Sequence, residues 1–197
     1  MPRAGLSREA VVRIALEIVD DGGTDGFTNL SLAQVAARAG VSAPSLYKHV
    51  RSLGALRRDV AVVAVRELDA TITRAVVGRS GPDALRGLAH ALRDHARAHP
   101  GRYEATQVAP DPEDPEAAEH RAVAQDVVAT IAAALRGFRL SETATIDAVR
   151  ALRAGVHGYV VLELAGGFRL PQDVDHSFDA LIDMLVTGIE TLGSEGP

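Results

Sequence analysis

The sequence predicts an all-α protein of about nine helices, and three observations carry that expectation. Hydrophobic residues make up 47% of the 197 positions while aromatic ones make up only 4%, and the apolar set is mostly Ala, Val and Leu, the composition of closely packed helices rather than strands. Apolar positions recur at i, i+3, i+4 and i+7 in segment after segment. Gly- and Pro-rich breaks separate these segments.

The first helix follows Ser7, a candidate N-cap, with Val11, Ile14, Ala15, Ile18 and Val19 on one face, widened by Val12 and Leu16, until Gly22-Gly23 stops it. After the turn-rich DDGGTDGFTN, Ser31 opens a second helix with Gln34 three residues later, the pattern of a capping box, and Gly40 ends it. Ser42 caps a third, with Pro44 tolerated in the first turn because the missing N–H there has no partner to lose, and Arg51-Ser52 closes it. A long helix runs from Leu53 to about Val77 and breaks at GRSGP. Pro82 opens the next, which carries Leu85, Leu88, Ala89 and Leu92 on one face and ends at His99-Pro100-Gly101. A short element holds Tyr103, and APDPEDPEAAE reads as a solvated loop leading into a helix through Leu135. Ser141 caps the eighth helix, which reaches Gly166-Gly167, and the ninth carries the apolar stripe Phe178, Leu181, Ile182, Leu185, Val186 and Ile189. No strand and no internal repeat is expected.

Length and charge organise these elements. The chain suits one compact body with a small appended head, and the expected division is a head over residues 1–52 and a body over 53–197. Residues 1–60 hold eight basic against six acidic side chains, whereas the rest of the chain has a net charge of −7. A mildly basic head on an acidic body suits a protein that presents one end to a polyanion. No apolar run approaches the roughly 20 residues that span a bilayer, and the first residues lack a signal-peptide pattern, so a cytoplasmic protein without membrane attachment is expected. There is no cysteine, which excludes disulfides and thiolate chemistry.

The chain holds 20 arginines and one lysine, Lys48, within VSAPSLYKHV. Two short helices joined by Gly40-Val41-Ser42 explain its place. Gly40 accepts the left-handed conformation that turns the chain sharply, Ala36 is small enough for close helix approach, and Val41 and Leu46 plug the crossing. That is a helix-turn-helix, whose second helix enters a DNA major groove. Lys48 is expected on the outward face of that reader, one turn beyond Ser45, reaching a guanine edge or a phosphate; the alternative is an ordinary solvated charge. Tyr47 either faces DNA or packs under the helix, and His49 is either a phosphate ligand or a surface imidazole.

Residues 7–60, and TNLSLAQVAARAGVSAPSLYKHVRSLGAL above all, resemble the DNA-binding head of the TetR family of transcriptional regulators. LRAGVHGYVVLELAGGF is similar to the ligand-binding body of one TetR branch, in which a Trp-His-Gly-like signature recurs. The resemblance implies an Ω-shaped homodimer whose heads enter successive major grooves of double-stranded DNA, an effector pocket in each body, and repression released by a small molecule. It assigns base readout to Ser42, Ser45 and Lys48 and phosphate contacts to Ser31, Tyr47 and His49, with Ala43 and Pro44 on the same surface. Where the family often has Lys followed by an acid, this chain has Leu53-Gly54, leaving helix-terminal amides to replace that contact in part. Ala33 and Ala43 are shorter than the base-reading side chains of some relatives. Arg3 is a candidate tail contact.

For the body, Gly155, Gly158, Phe178, Leu181, Ile182, Leu185 and Ile189 are the candidate dimer interface; the alternative is that the stripe covers its own core and the glycines admit an internal neighbour. Tyr103, Gln107, His157 and Tyr159 are candidate effector-binding residues, polar groups in apolar segments that either orient a ligand or bond to the backbone. Glu163, in VVLELAGG, must meet a cation or reach solvent. His95 and His99 have metal-binding i, i+4 spacing, but the segment between them lacks the glutamate of a zinc hydrolase, so solvated histidines, no metal, no cofactor and no catalytic activity are expected. A helical ligand-binding or interaction module with little DNA affinity is the competing expectation, suggested by the head's net charge of only +2 and by Leu53.

Overall fold

The computed structural model describes residues 6–194, so Arg3 lies outside the described residues. Nine α-helices form among the described residues: α1 Arg8–Asp21, α2 Leu32–Ala39, α3 Ala43–Leu46, α4 Leu53–Val76, α5 Gly81–Ala98, α6 Pro100–Ala105, α7 Ala118–Leu135, α8 Glu142–Leu164 and α9 Val174–Ser194. No strand occurs among the described residues. The expected caps are in place at Ser7, whose hydroxyl accepts from the Ala10 N–H at 3.2 Å, and at Ser141, which accepts from the Ala144 N–H at the same distance. Ser52 adds a further cap, accepting from the Ala55 N–H at 3.0 Å at the start of α4.

The chain packs as two compact units. The first comprises the residues up to Glu67 together with His99–Ala124, and the second comprises Leu68–Ala98 and the chain from Gln125 on. The boundary between the units at Glu67 and Leu68 falls within α4, and the segment after α5 belongs with the N-terminal helices. Its tie is a close backbone approach between α6 and α1: a Cβ built on Gly101 would lie 2.6 Å from the Val19 carbonyl oxygen and 2.7 Å from that of Gly23. The core of this unit gathers Val11, Ala15 and Val19 of α1, Val35 of α2, Leu46 of α3, Leu56 and Val60 of α4 and Ala105 of α6.

In the second unit, α5 packs against α8 and α9, which also pack on each other, around Leu85, Leu88, Leu152, Phe178 and Ile182. Here the sequence-based expectation for the dimer needs correction. Phe178, Ile182 and Ile189 are buried within the chain, so the stripe on α9 is spent on its own core. Gly155 faces inward too, since a Cβ there would meet Leu185 Cδ1 at 3.2 Å, while Gly158 faces open space. Leu181 and Leu185 are half-buried.

The required cation for Glu163 is Arg93 of α5, only 3% exposed. Its Nε and one terminal nitrogen grip the Glu163 carboxylate at 2.8 and 2.6 Å, Asp175 accepts at 2.7 Å, and the guanidinium lies 4.7 Å from the Phe178 ring centroid and 5.8 Å from that of Tyr159. Glu163 holds this guanidinium charged, raising its pKa against the opposing effect of burial. Arg93→Ala leaves Glu163 without its bidentate partner and should cost about 2–3 kcal/mol, below the usual figure for a fully buried pair because Asp175 is exposed. Thermal unfolding should shift down by roughly 4–12 °C; an unchanged melting temperature would show that water replaces the arginine without cost.

Candidate nucleic-acid interface

Local chemistry builds the helix-turn-helix from α2 and α3. Ser31 accepts from the Gln34 N–H at 3.3 Å while Gln34 Oε1 accepts from the Ser31 N–H at 2.9 Å, a complete capping box. At the other end of α2, Gly40 adopts φ 66°, ψ 32°. The Val41 N–H reaches the Ala36 carbonyl at 3.0 Å and the Gly40 N–H that of Ala37 at 3.2 Å, the paired bonds that terminate a helix through a left-handed residue. Val35, Ala36 and Leu46 are buried behind this turn. Backbone termination and apolar anchoring together fix where α3 leaves α2.

The reader itself is shorter than the sequence suggests. Its α-helical part is Ala43–Leu46, and Tyr47, Lys48 and His49 form the turn that follows. Leu46 ends the helix because its carbonyl is shared: the His49 N–H donates to it at 2.8 Å and the Val50 N–H at 2.9 Å, and Val50 is buried. Lys48 therefore sits at the exit of α3 rather than on a continuing helical face. Ser42 has N-cap backbone geometry, but its hydroxyl pairs with that of Ser45 at 2.8 Å instead of capping. Pro44 occupies the first turn as expected.

Exposure decides between the alternatives for the aromatic. Tyr47 is 59% exposed, so it does not pack under the helix. Ser42, Ala43, Pro44 and Lys48 are exposed, and Ser31, Ser45 and His49 are half-buried. Arginines nearby are committed to acids or carbonyls: Arg8 to Asp59, Arg38 to Asp21, Arg57 to the Thr28 carbonyl at 2.7 Å, and Arg58 to Asp114 and Glu116. Lys48 has no ion pair or hydrogen bond among the described residues. The lone lysine is thus an unspent cation beside an exposed tyrosine.

Other candidates separate. Tyr103 and Gln107 belong to the first unit, where Tyr103 is buried and the Gln107 amide donates to the Thr106 hydroxyl at 2.7 Å. His157 and Tyr159 belong to the second. Burial, helped by Arg153, lowers the His157 pKa, and the Tyr159 hydroxyl donates to the Val174 carbonyl at 2.6 Å. Expected solvated, His95 is instead buried, and His99 falls outside α5, which ends at Ala98; the i, i+4 face needed for a metal does not form. No cluster of three metal-ligating side chains occurs among the described residues, and none of their helices is long and apolar enough to cross a membrane.

Sequence reasoning missed the role of the acidic loop. Asp114 caps a short turn at Pro115–Ala117, accepting from the Glu116 N–H at 2.8 Å, and that turn presents Asp114 and Glu116 to Arg58 and Arg51. The signal available was the run of acids itself, and nothing local says which cations it meets.

A helix-turn-helix with an outward Tyr-Lys pair at the end of its second helix defines a DNA-binding regulator. Residues 85–185 match the tetracyclin repressor-like C-terminal domain. An uncharacterized HTH-type transcriptional regulator of Mycobacterium tuberculosis is 32% identical over 98% of this chain and 86% of its own length. The HTH-type transcriptional regulator YobS of Bacillus subtilis is 33% identical over 95% of each chain. Among solved structures, a TetR variant from Acinetobacter baumannii in complex with minocycline superposes with a TM-score of 0.69 at 22% identity, covering 95% of this chain and 98% of that one. The chain belongs to the TetR family of transcriptional regulators, which are not enzymes.

Proposed function

We propose that the protein is a cytoplasmic, homodimeric repressor that binds a near-palindromic operator and is released by a small-molecule effector. One observation supports the DNA-binding part above all: at the exit of α3 an exposed tyrosine adjoins the only lysine, which is free while the neighbouring arginines are engaged. Ser42, Ala43, Pro44, Ser45 and Lys48 would face bases, and Ser31, Tyr47 and His49 phosphates. In this reading residues 1–52 act as the head and 53–197 as the effector-binding and dimerisation part.

The dimer contact is assigned to the outward sides of α8 and α9. There Gly158 and Gly188 have open space at their Cβ positions, and Val161, Leu162, Met184 and Leu192 are exposed apolar side chains. Gly158, Leu181 and Leu185 remain in this assignment from the sequence set. Such small and apolar positions allow close helix approach between copies. Of the effector candidates, His157 has its pKa lowered by burial, which favours the neutral imidazole, and Tyr159, whose hydroxyl donates to the Val174 carbonyl, would contribute its ring.

Selection of genomic fragments by the purified protein at low and near-physiological salt, followed by sequencing, tests the reading. Recovery of one near-palindromic site, with half-sites about 34–36 Å or a multiple apart, is expected. Recovery of nothing beyond random sequence from a folded dimer would transfer the assignment to a helical ligand-binding module.

A further inference from the structure

We propose that Arg51 is a phosphate-contacting residue held in reserve by Glu116, so that DNA binding exchanges an intramolecular carboxylate for a backbone phosphate. This rests on the DNA-binding reading above. Arg51 follows the reader turn directly after buried Val50, and its side chain is 83% exposed. Its partner is Glu116. A guanidinium fork fits carboxylate and phosphate alike, so the same donors serve either anion.

The holder is built rather than incidental. Glu116 sits in the turn Pro115–Ala117, whose start is fixed by the Asp114 side chain and whose end is pinned by buried Ala117. Arg121 ties down the same loop by donating to the Asp111 and Asp114 carbonyls, each at 2.7 Å. The second oxygen of Glu116 accepts from Arg58 at 2.8 Å, and Arg58 also grips Asp114 at 2.9 Å. Arg58 is the half-buried anchor, with a side-chain exposure of 21%. Arg51 is the outer, exchangeable partner. An ion pair this exposed yields readily to a competing anion, and duplex DNA supplies one at high local density.

The test is a double-mutant cycle read against a mixed-sequence DNA duplex of about 30 base pairs, because phosphate contacts do not depend on sequence. Wild type, Glu116→Gln, Arg51→Ala, the double variant, Glu113→Gln and Lys48→Ala are compared across roughly 50 to 200 mM salt. Glu113→Gln removes the same charge from the same loop at a residue with no ion pair among the described residues. Relieving Arg51 of its competing carboxylate in Glu116→Gln should tighten binding about two- to fivefold at low salt, whereas Arg51→Ala should flatten the plot of log affinity against log salt by roughly 0.9 for each protomer bound. The gain from Glu116→Gln should vanish in the double variant. Glu113→Gln should give a distinctly smaller gain and no change of slope. A gain that persists without Arg51, or an equal gain from Glu113→Gln, would reduce the effect to net charge and overturn the proposal. An unaltered Glu116→Gln beside a weakened Lys48→Ala would also overturn it while leaving the DNA-binding reading intact. Absence of salt-dependent DNA binding in every variant would remove both.

Discussion

Replacing Lys48 by alanine is expected to weaken operator binding about 30- to 25,000-fold while the dimer stays intact. A specific contact to a base edge or phosphate is worth about 1–3 kcal/mol, and in a dimer each substitution removes two such contacts. The estimate applies to Lys48 because nothing within the described residues competes for its ammonium. Tyr47→Ala is expected to weaken binding in the same direction by a smaller factor, since a hydroxyl on a phosphate is a neutral donor. Fluorescence anisotropy on the selected operator, with sedimentation to follow the dimer, decides the matter. Unchanged affinity in both variants would place the DNA-contacting surface elsewhere.

Gly26→Ala is expected to destabilise the first unit by about 3 kcal/mol or more, beyond the usual range for overpacking. A Cβ at this position would lie 2.0 Å from the Val19 carbonyl oxygen and 2.9 Å from its carbon. Both are backbone atoms of a fully buried α1 residue, so no side-chain rotamer can relieve the clash. Thermal denaturation followed by circular dichroism should show a lowered or split transition. A wild-type melting curve would mean that the turn after α1 shifts freely, in conflict with the close approach of Gly101 to the same carbonyl.

Features fixed within a few residues were legible in the sequence. The capping box of Ser31 and Gln34 and the left-handed Gly40 each depend on groups at most five positions apart, and they are enough to mark the helix-turn-helix. The third helix is shorter than its sequence suggests because Ser45, Leu46, Tyr47 and Lys48 carry no stop signal of their own, and it ends where the Leu46 carbonyl is shared by the His49 and Val50 N–H groups and Val50 is buried. Periodicity on α9 located an apolar face without saying what covers it. A stripe that packs on α5 and α8 and one that packs on a second copy have the same spacing, which is why the sequence leaves both open for Phe178, Ile182 and Ile189, and their burial within the chain favours the first. The same limit applies to charge. That Glu163 needs a cation follows from its apolar neighbours, but that the cation is Arg93, 70 positions earlier, follows only from the fold. The acids at 114 and 116 meet Arg58 and Arg51 across comparable separations.

The near-absence of lysine has a practical consequence. Lys48 carries the only side-chain amine in the chain, and it stands exposed at the end of α3. Reductive methylation with isotopically labelled formaldehyde therefore places, apart from the α-amino group, a single spectroscopic reporter in each protomer at the turn proposed to face DNA. If Lys48 contacts the operator as proposed, its NMR resonance would follow operator occupancy, and protection of that amine from the reagent by bound duplex would give a footprint of the complex without any engineered residue.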